Sequence, residues 1–286
     1  MKKVLNGSVL LLLIVFVSCQ KEIDWGTGGG GTTVAQQLIR IKSQTGTDTT
    51  QIDYTYDANK RIVREKTAGV ASGMSLDNDL IINRSSSGII VTTVQKAAAL
   101  IAVGIDSVVT RYNYSTATSK YTSSIFDLAI PGLAVTDSAV YTYDASGKIT
   151  GDSHYLSIGG LPIPLPPILS LKNNYTYSAS GSNLTALSQD AATTPGGPLS
   201  PVSSQAYTFD AKTNPLIVLN EGVLLARTGL YNANNATKAV VTNTVSPANN
   251  FTMDYTYKYN SINKPDSSYG TRTPGGAVTA AKYFYQ

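Results

Sequence analysis

The chain has 286 residues, with 22 Lys and Arg against 18 Asp and Glu, one His, one Cys, one Trp and 18 Tyr. Only 14% of residues are charged, and the formal net charge of +4 is not gathered into a basic cluster past the first residues, so the footprint of a nucleic-acid binder is absent. A single cysteine excludes an internal disulfide, and a single histidine, His154, excludes metal sites built from several imidazoles.

The chain begins with Lys2 and Lys3, followed by an unbroken apolar run from Val9 to Val17. Nine residues of helix rise only about 14 Å, under half the hydrocarbon thickness, so residues 1–18 read as a signal peptide rather than a membrane span. Small Ser18 stands directly before Cys19. This arrangement resembles the lipobox of bacterial lipoproteins, with Phe16 where Leu, Val or Ile is usual. The resemblance implies acylation of Cys19 and a stable membrane anchor, each buried methylene contributing about 0.8 kcal/mol. Loss of Lys2 and Lys3 takes the formal charge from +4 to +2. Gln20-Lys21-Glu22-Ile23-Asp24 resembles the export tag after the lipidated cysteine of Bacteroidetes-type surface lipoproteins, which implies an outer-membrane lipoprotein on the cell surface rather than the periplasmic face. Residues 19–35, with the run GTGGGGTT from Gly26 to Thr33, read as a Gly-rich tether. Trp25 within it reads as an interfacial anchor.

Residues 36–286 read as one β domain, long enough for a sizeable core. Aromatic pairs spaced by two recur as Tyr54/Tyr56, Tyr112/Tyr114, Tyr141/Tyr143, Tyr175/Tyr177, Tyr207/Phe209, Tyr255/Tyr257/Tyr259 and Tyr283/Tyr285. Side chains two apart share one face of a strand, so each pair reads as Tyr inward, with the intervening Thr or Asn outward. Most pairs run straight into turn chemistry, as in Asp144-Ala145-Ser146-Gly147 and Ser178-Ala179-Ser180-Gly181. Asp or Ser accepts backbone N–H groups there and Gly supplies the left-handed residue. At Asp57-Ala58-Asn59-Lys60, Asn59 is the expected left-handed substitute. Asp57, Asp144 and Asp210 are all expected to cap such turns. A degenerate unit is expected around LIINRSSSGIIV, and Gln95–Val103 is open between a short helix and a strand.

These units predict an all-β fold with little helix: an antiparallel meander of hairpins forming one large twisted or curled sheet, open or half-barrel. The Tyr-x-Tyr turns would line one edge and the longer connections the other. Two of those connections are apolar and proline-bearing, FDLAIPGLAV and LSIGGLPIPLPPILSL. The residues Pro131, Leu133, Leu161, Pro162, Ile163, Pro164 and Leu165 have two readings: a lid over one end of the tyrosine core, or a hydrophobic edge that docks on a partner or lipid.

The word YTYDASGKIT resembles the YD-type repeats of large bacterial surface proteins. The C-terminal part resembles small Bacteroidetes-type surface lipoproteins of unknown function. It does so through Tyr207-Thr208-Phe209-Asp210, Asn214-Pro215-Leu216, Asn234-Asn235 and Tyr255-Thr256-Tyr257-Lys258-Tyr259-Asn260 with Pro265. That likeness brings no catalytic or ligand residues with it. No catalytic residue, metal ligand or cofactor is assigned. The leading expectation is a lipid-anchored envelope protein that binds or builds, its partners being the membrane through Cys19 and an envelope protein or glycan. The alternatives are a glycan binder using Tyr platforms and a hydrolase using a carboxylate pair.

Overall fold

The computed structural model describes residues 37–71, 73–130, 133–159, 166–216 and 232–286. Among them are sixteen strands: β1 (Leu38–Thr45), β2 (Asp48–Tyr56), β3 (Ile62–Ala71), β4 (Met74–Arg84), β5 (Ile90–Ala97), β6 (Val108–Ser115), β7 (Lys120–Ile130), β8 (Leu133–Tyr143), β9 (Ile149–Gly159), β10 (Ile168–Tyr177), β11 (Leu184–Ala192), β12 (Leu199–Thr213), β13 (Asn234–Asn243), β14 (Phe251–Tyr259), β15 (Pro265–Thr273) and β16 (Val278–Tyr285). Helix among the described residues is confined to one turn, α1 (Ala98–Ile101), and a 3-10 turn at Pro247–Asn249. The stretch left open between helix and strand contains both, since β5 runs to Ala97 and α1 follows directly.

Every strand pairs antiparallel with its sequence neighbours, and β1 also pairs with β16, so the sheet is a closed barrel. The expectation of an open sheet or half-barrel is thereby corrected. The reason lies at the seam. Leu38 faces Tyr285 and Ile41 faces Tyr283, and a bulge between Leu38 and Arg40 keeps both on the inward face. Gln37 and Gln286 exchange both backbone hydrogen bonds, at 2.9 and 3.0 Å. Closure leaves neither end strand with unpaired N–H and C=O groups. β1, LIRIKSQT, carries no Tyr word, so nothing local marks it as the partner of the last strand.

The period-two reading of the words holds. Tyr54, Tyr121 and Tyr175 are buried on the inner face with Leu38, Ile62, Leu80, Ile82, Ile90, Ile149 and Leu184, and Tyr56, Tyr112, Tyr114, Tyr141, Tyr143, Tyr177, Tyr207, Tyr283 and Tyr285 pack against this cluster. Thr55, Thr142, Thr176 and Thr256 point outward and are exposed. The even-numbered strands end at the tyrosine-lined rim, and β1 enters there.

At this rim the repeat has a chemistry that its sequence did not announce. In four of the words the last Tyr donates its hydroxyl to a carbonyl at the start of the preceding strand. Tyr56 reaches Leu38 O at 2.6 Å, Tyr143 reaches Tyr121 O at 2.6 Å, Tyr177 reaches Ile149 O at 2.9 Å and Tyr285 reaches Pro265 O at 2.7 Å. The residue just before that carbonyl is often a lysine stacked on the same ring: Lys120 on Tyr143, Lys148 on Tyr177 and Lys264 on Tyr285, 4.8–5.5 Å from the centroids. In the degenerate unit Arg84 stands where the second Tyr would be and donates to Ile62 O at 2.9 Å, so a cation does the work of the phenol.

Turn glycines complete the clasp. Gly181 has φ +68°, and a Cβ there would lie 2.2 Å from Lys148 Nζ; Gly88, at φ +87°, faces Arg61 in the same way. In the first turn the left-handed residue is Lys60, at φ 62°, and not Asn59. Asn59 instead donates its backbone N–H to Asp57 Oδ1. Asp57 and Asp144 cap their turns as expected, accepting from Arg61 N and Lys148 N at 2.9 Å. Asp210 does not, because β12 runs on to Thr213 and the capping passes to Asn214, which accepts from Leu216 N.

The outer wall is mostly polar, with Val140 and Val240 exposed among its charged and hydroxyl side chains. Ion pairs cross its strands at Arg64–Asp79 (2.6 Å), Lys238–Asp254 (3.7 Å) and Arg111–Asp127, the last with side chains 53% and 50% exposed.

Candidate functional site

The inner wall of β8 to β11 carries the densest polar cluster that pairs charges inside the barrel. Alternation turns Asp137, Ala139 and Tyr141 of β8 inward, and the register sets Ala139 opposite His154 and Tyr141 opposite Asp152. His154 therefore lies between a diagonal neighbour, Asp137, and a residue two positions back on its own strand, Asp152. Its Nδ1 lies 2.7 Å from Asp137 Oδ2 and its Nε2 2.8 Å from Asp152 Oδ1. The three side chains are 22%, 12% and 8% exposed. Asp152 also accepts from Tyr175 OH at 2.5 Å and Asn173 Nδ2 at 2.8 Å, and Gln189 donates to Asn173 Oδ1 at 3.1 Å.

Burial pulls the His154 pKa down, but hydrogen bonds to Asp137 and Asp152, with their charges, outweigh it and raise it to about 9. An imidazolium thus sits between two carboxylates at neutral pH. Burial and the adjacent Asp152 carboxylate push the Tyr175 phenol far up. One atom has no partner: Asp137 Oδ1 is buried and makes no hydrogen bond. Gln189, Ser203 and Gln205 face the same lumen and are only half-buried, consistent with water reaching the interior of so wide a barrel.

Chemically this cluster holds charge and register rather than attacking bonds. The hydroxyl of nearby Ser124 accepts from Tyr141 OH at 2.7 Å and is not bonded to His154. Asp137 and Asp152 form a carboxylate pair, but the imidazole occupies the space between them, leaving no gap for water or a glycosidic bond.

A second network explains the asparagines of the C-terminal likeness. Asp210 accepts from Lys212 N, Asn235 N and Tyr259 OH. Asn183 and Asn234 bond each other twice, at 2.9 and 3.1 Å, and Asn232 Oδ1 accepts from Leu184 N at 2.7 Å. Asn183, Asn214, Asn232 and Asn235 are all buried. They sew β11, β12, β13 and β14 together at the tyrosine rim, which makes them structural.

The tyrosines of the words face inward, not onto an outer groove as a Tyr-based glycan site would need, and their hydroxyls are bonded inside the barrel, those of Tyr56, Tyr143, Tyr177 and Tyr285 to backbone carbonyls and those of Tyr141 and Tyr175 to Ser124 and Asp152. Of the residues proposed for a docking edge, Leu133 begins β8 at the rim opposite the tyrosines. Pro131 and Leu161, Pro162, Ile163, Pro164 and Leu165 lie outside the described residues, as does Cys19. Sequence reasoning missed the His154 cluster. Its only signal was that Asp137, Asp152 and His154 occupy inward positions of their strands, and the cross-strand register that joins them is not written locally.

No family model matches the chain, and no curated protein matches it. Among solved structures, it is similar to a porin-like protein from Bacteroides uniformis ATCC 8492, with a TM-score of 0.50 and 12% identity, over 87% of this chain and 98% of that one. A porin-like protein from Bacteroides vulgatus ATCC 8482 gives a TM-score of 0.50 and 11% identity, over 88% and 99%. At such identities the likeness is one of fold: a large antiparallel β-barrel.

Proposed function

We propose that this protein is a lipid-anchored β-barrel of the cell envelope, held at the outer membrane by Cys19, with its barrel standing in water rather than crossing the bilayer. Its role in this reading is binding or structure at the cell surface. The observation that carries it is the outer wall. A membrane-spanning barrel turns apolar residues toward lipid, and a Lys or Arg at the midplane costs about 2–4 kcal/mol. Here the pattern is inverted, with Tyr, Leu and Ile inward and Thr, Lys, Arg and Asp outward, the charges paired along the strands. The porin-like neighbours support an envelope setting, and the Ser18-Cys19 junction supports the anchor.

The test is fractionation of cells carrying the wild type or Cys19→Ala. Wild-type protein should sediment with outer membranes and be shaved from intact cells by protease, while Cys19→Ala should be lost from the membrane fraction. Purified wild type should give no conductance steps in a planar bilayer. Membrane retention of Cys19→Ala together with single-channel steps would establish a spanning porin and overturn the proposal.

A further inference from the structure

The two rims of the barrel differ in charge, and the difference coincides with the direction from which the anchor arrives. At the tyrosine rim Lys60, Arg61, Lys148 and Lys264 lie in the connections, and Lys120 and Lys212 lie beside them. At the opposite rim, connections 46–47, 102–107, 193–198, 244–250 and 274–277 hold no Lys or Arg and one charged residue, Asp106, with Asp48, Lys96 and Arg272 on the strands beside them. Three acids of the tyrosine rim are engaged, Asp57 by Arg61 and two backbone N–H groups, Asp144 by Lys148 N and Ser146 OH, and Asp210 by Tyr259 and Asn235, while Asp266 at the start of β15 is exposed. The cations are held at the surface. Lys120, Lys148, Lys212 and Lys264 rest on Tyr rings, which fixes their stems, and Lys60 is exposed.

The chain enters the barrel at this same rim. Gln37 pairs with Gln286 beside the Tyr56 and Tyr285 clasps, and only residues 20–36 separate it from Cys19. We infer that the tyrosine rim is a membrane-facing surface, on which the ring of stacked lysines docks the barrel end-on against the anionic headgroups of the membrane that holds the anchor. The inference rests on the anchored reading above. Charge complementarity selects the partner, because several cations within a Debye length of an anionic surface act together and weaken together in salt. The opposite rim, poor in charge, then faces away, and the mouth of the lumen on that side is presented to the medium.

The test uses the full lipidated protein reconstituted into vesicles of phosphatidylcholine alone or with phosphatidylglycerol. Flotation is read first, then the labelling rate of each lysine by a membrane-impermeant acylating reagent, resolved by mass spectrometry. On anionic vesicles at low salt, Lys60, Lys120, Lys148, Lys212 and Lys264 should label at least about threefold more slowly than on phosphatidylcholine, with protection lost near 0.5 M NaCl. Outer-wall Lys66, Lys96, Lys172 and Lys238 should be unchanged. Lys60→Glu, at an exposed turn position that carries no clasp, should reduce the protection of its neighbours without changing flotation. Equal labelling on both vesicles, with the protein floating on both, overturns the docking and leaves the anchor intact. Failure to float on either vesicle overturns the anchor, and the docking with it.

Discussion

At the scale of single residues, His154 is the group whose environment departs furthest from its sequence. Between Asp137 and Asp152 its pKa stands at about 9, against about 6.5 in an unfolded chain. A folded pKa raised in this way stabilises the barrel fully below the unfolded value, and the contribution drains away as pH rises through the folded value. Each unit is worth about 1.4 kcal/mol, so the loss between pH 6.5 and 9.5 should reach at most roughly 3 kcal/mol. Urea unfolding of the wild type should show this slope. His154→Gln should be less stable at pH 6.5, because two buried carboxylates lose their cation, and its stability should change much less up to pH 9.5. Parallel pH profiles for the two proteins would show that the imidazolium contributes nothing. The histidine was visible in the sequence, but its chemistry was not, since both partners come to it through strand register.

At the scale of the element, the Tyr-x-Tyr word was legible because period two is a strong local signal and Asp, Ser and Gly mark the reversal that follows. What it did not disclose was that consecutive words are coupled. Lys148 belongs to one turn, yet its amine lies over Tyr177 and against Gly181 of the next. Gly181 is therefore constrained twice, by its left-handed φ and by the neighbouring amine. Gly181→Ala should cost about 1–2 kcal/mol. Gly104→Ala is the control, since its φ of +82° is equally left-handed but nothing lies within 4 Å of the added Cβ. Pairing Lys148→Ala with Gly181→Ala should return the part of the cost that comes from the collision, measured as a double-mutant cycle in thermal or urea unfolding. The same logic shows why Asp210 misled. Spelled like the Asp of the other words, it stands inside a strand four residues longer than expected, where its carboxylate gathers Asn235 and Tyr259 instead of closing a turn.

At the scale of the whole molecule, closure is what joins the sixteen strands into one unit. Alternation of inner and outer faces could be read from the words, since side chains two apart share a face. Closure could not be read, because it depends on the first strand meeting the last, and β1 has none of the features of the repeat. That seam is also where a barrel can fail as a unit. Removing residues 278–286 would delete β16 and leave β1 and β15 with unpaired inner-edge N–H and C=O groups, next to exposed Ile41 and Leu38. A fifteen-strand sheet with these edges has no short route to closure, since β15 and β1 were each spaced to hold one strand between them. Exposed edges of this kind template pairing with other chains. The truncated protein should accumulate as aggregate or as strand-exchanged oligomers, whereas Phe284→Ser, on the outward face of the same strand, should stay soluble and cooperative. Size-exclusion chromatography with far-UV circular dichroism separates the outcomes. A monomeric truncation that melts like the full chain would mean that the sheet is stable without its seam, and that the tyrosine girdle alone holds the fold.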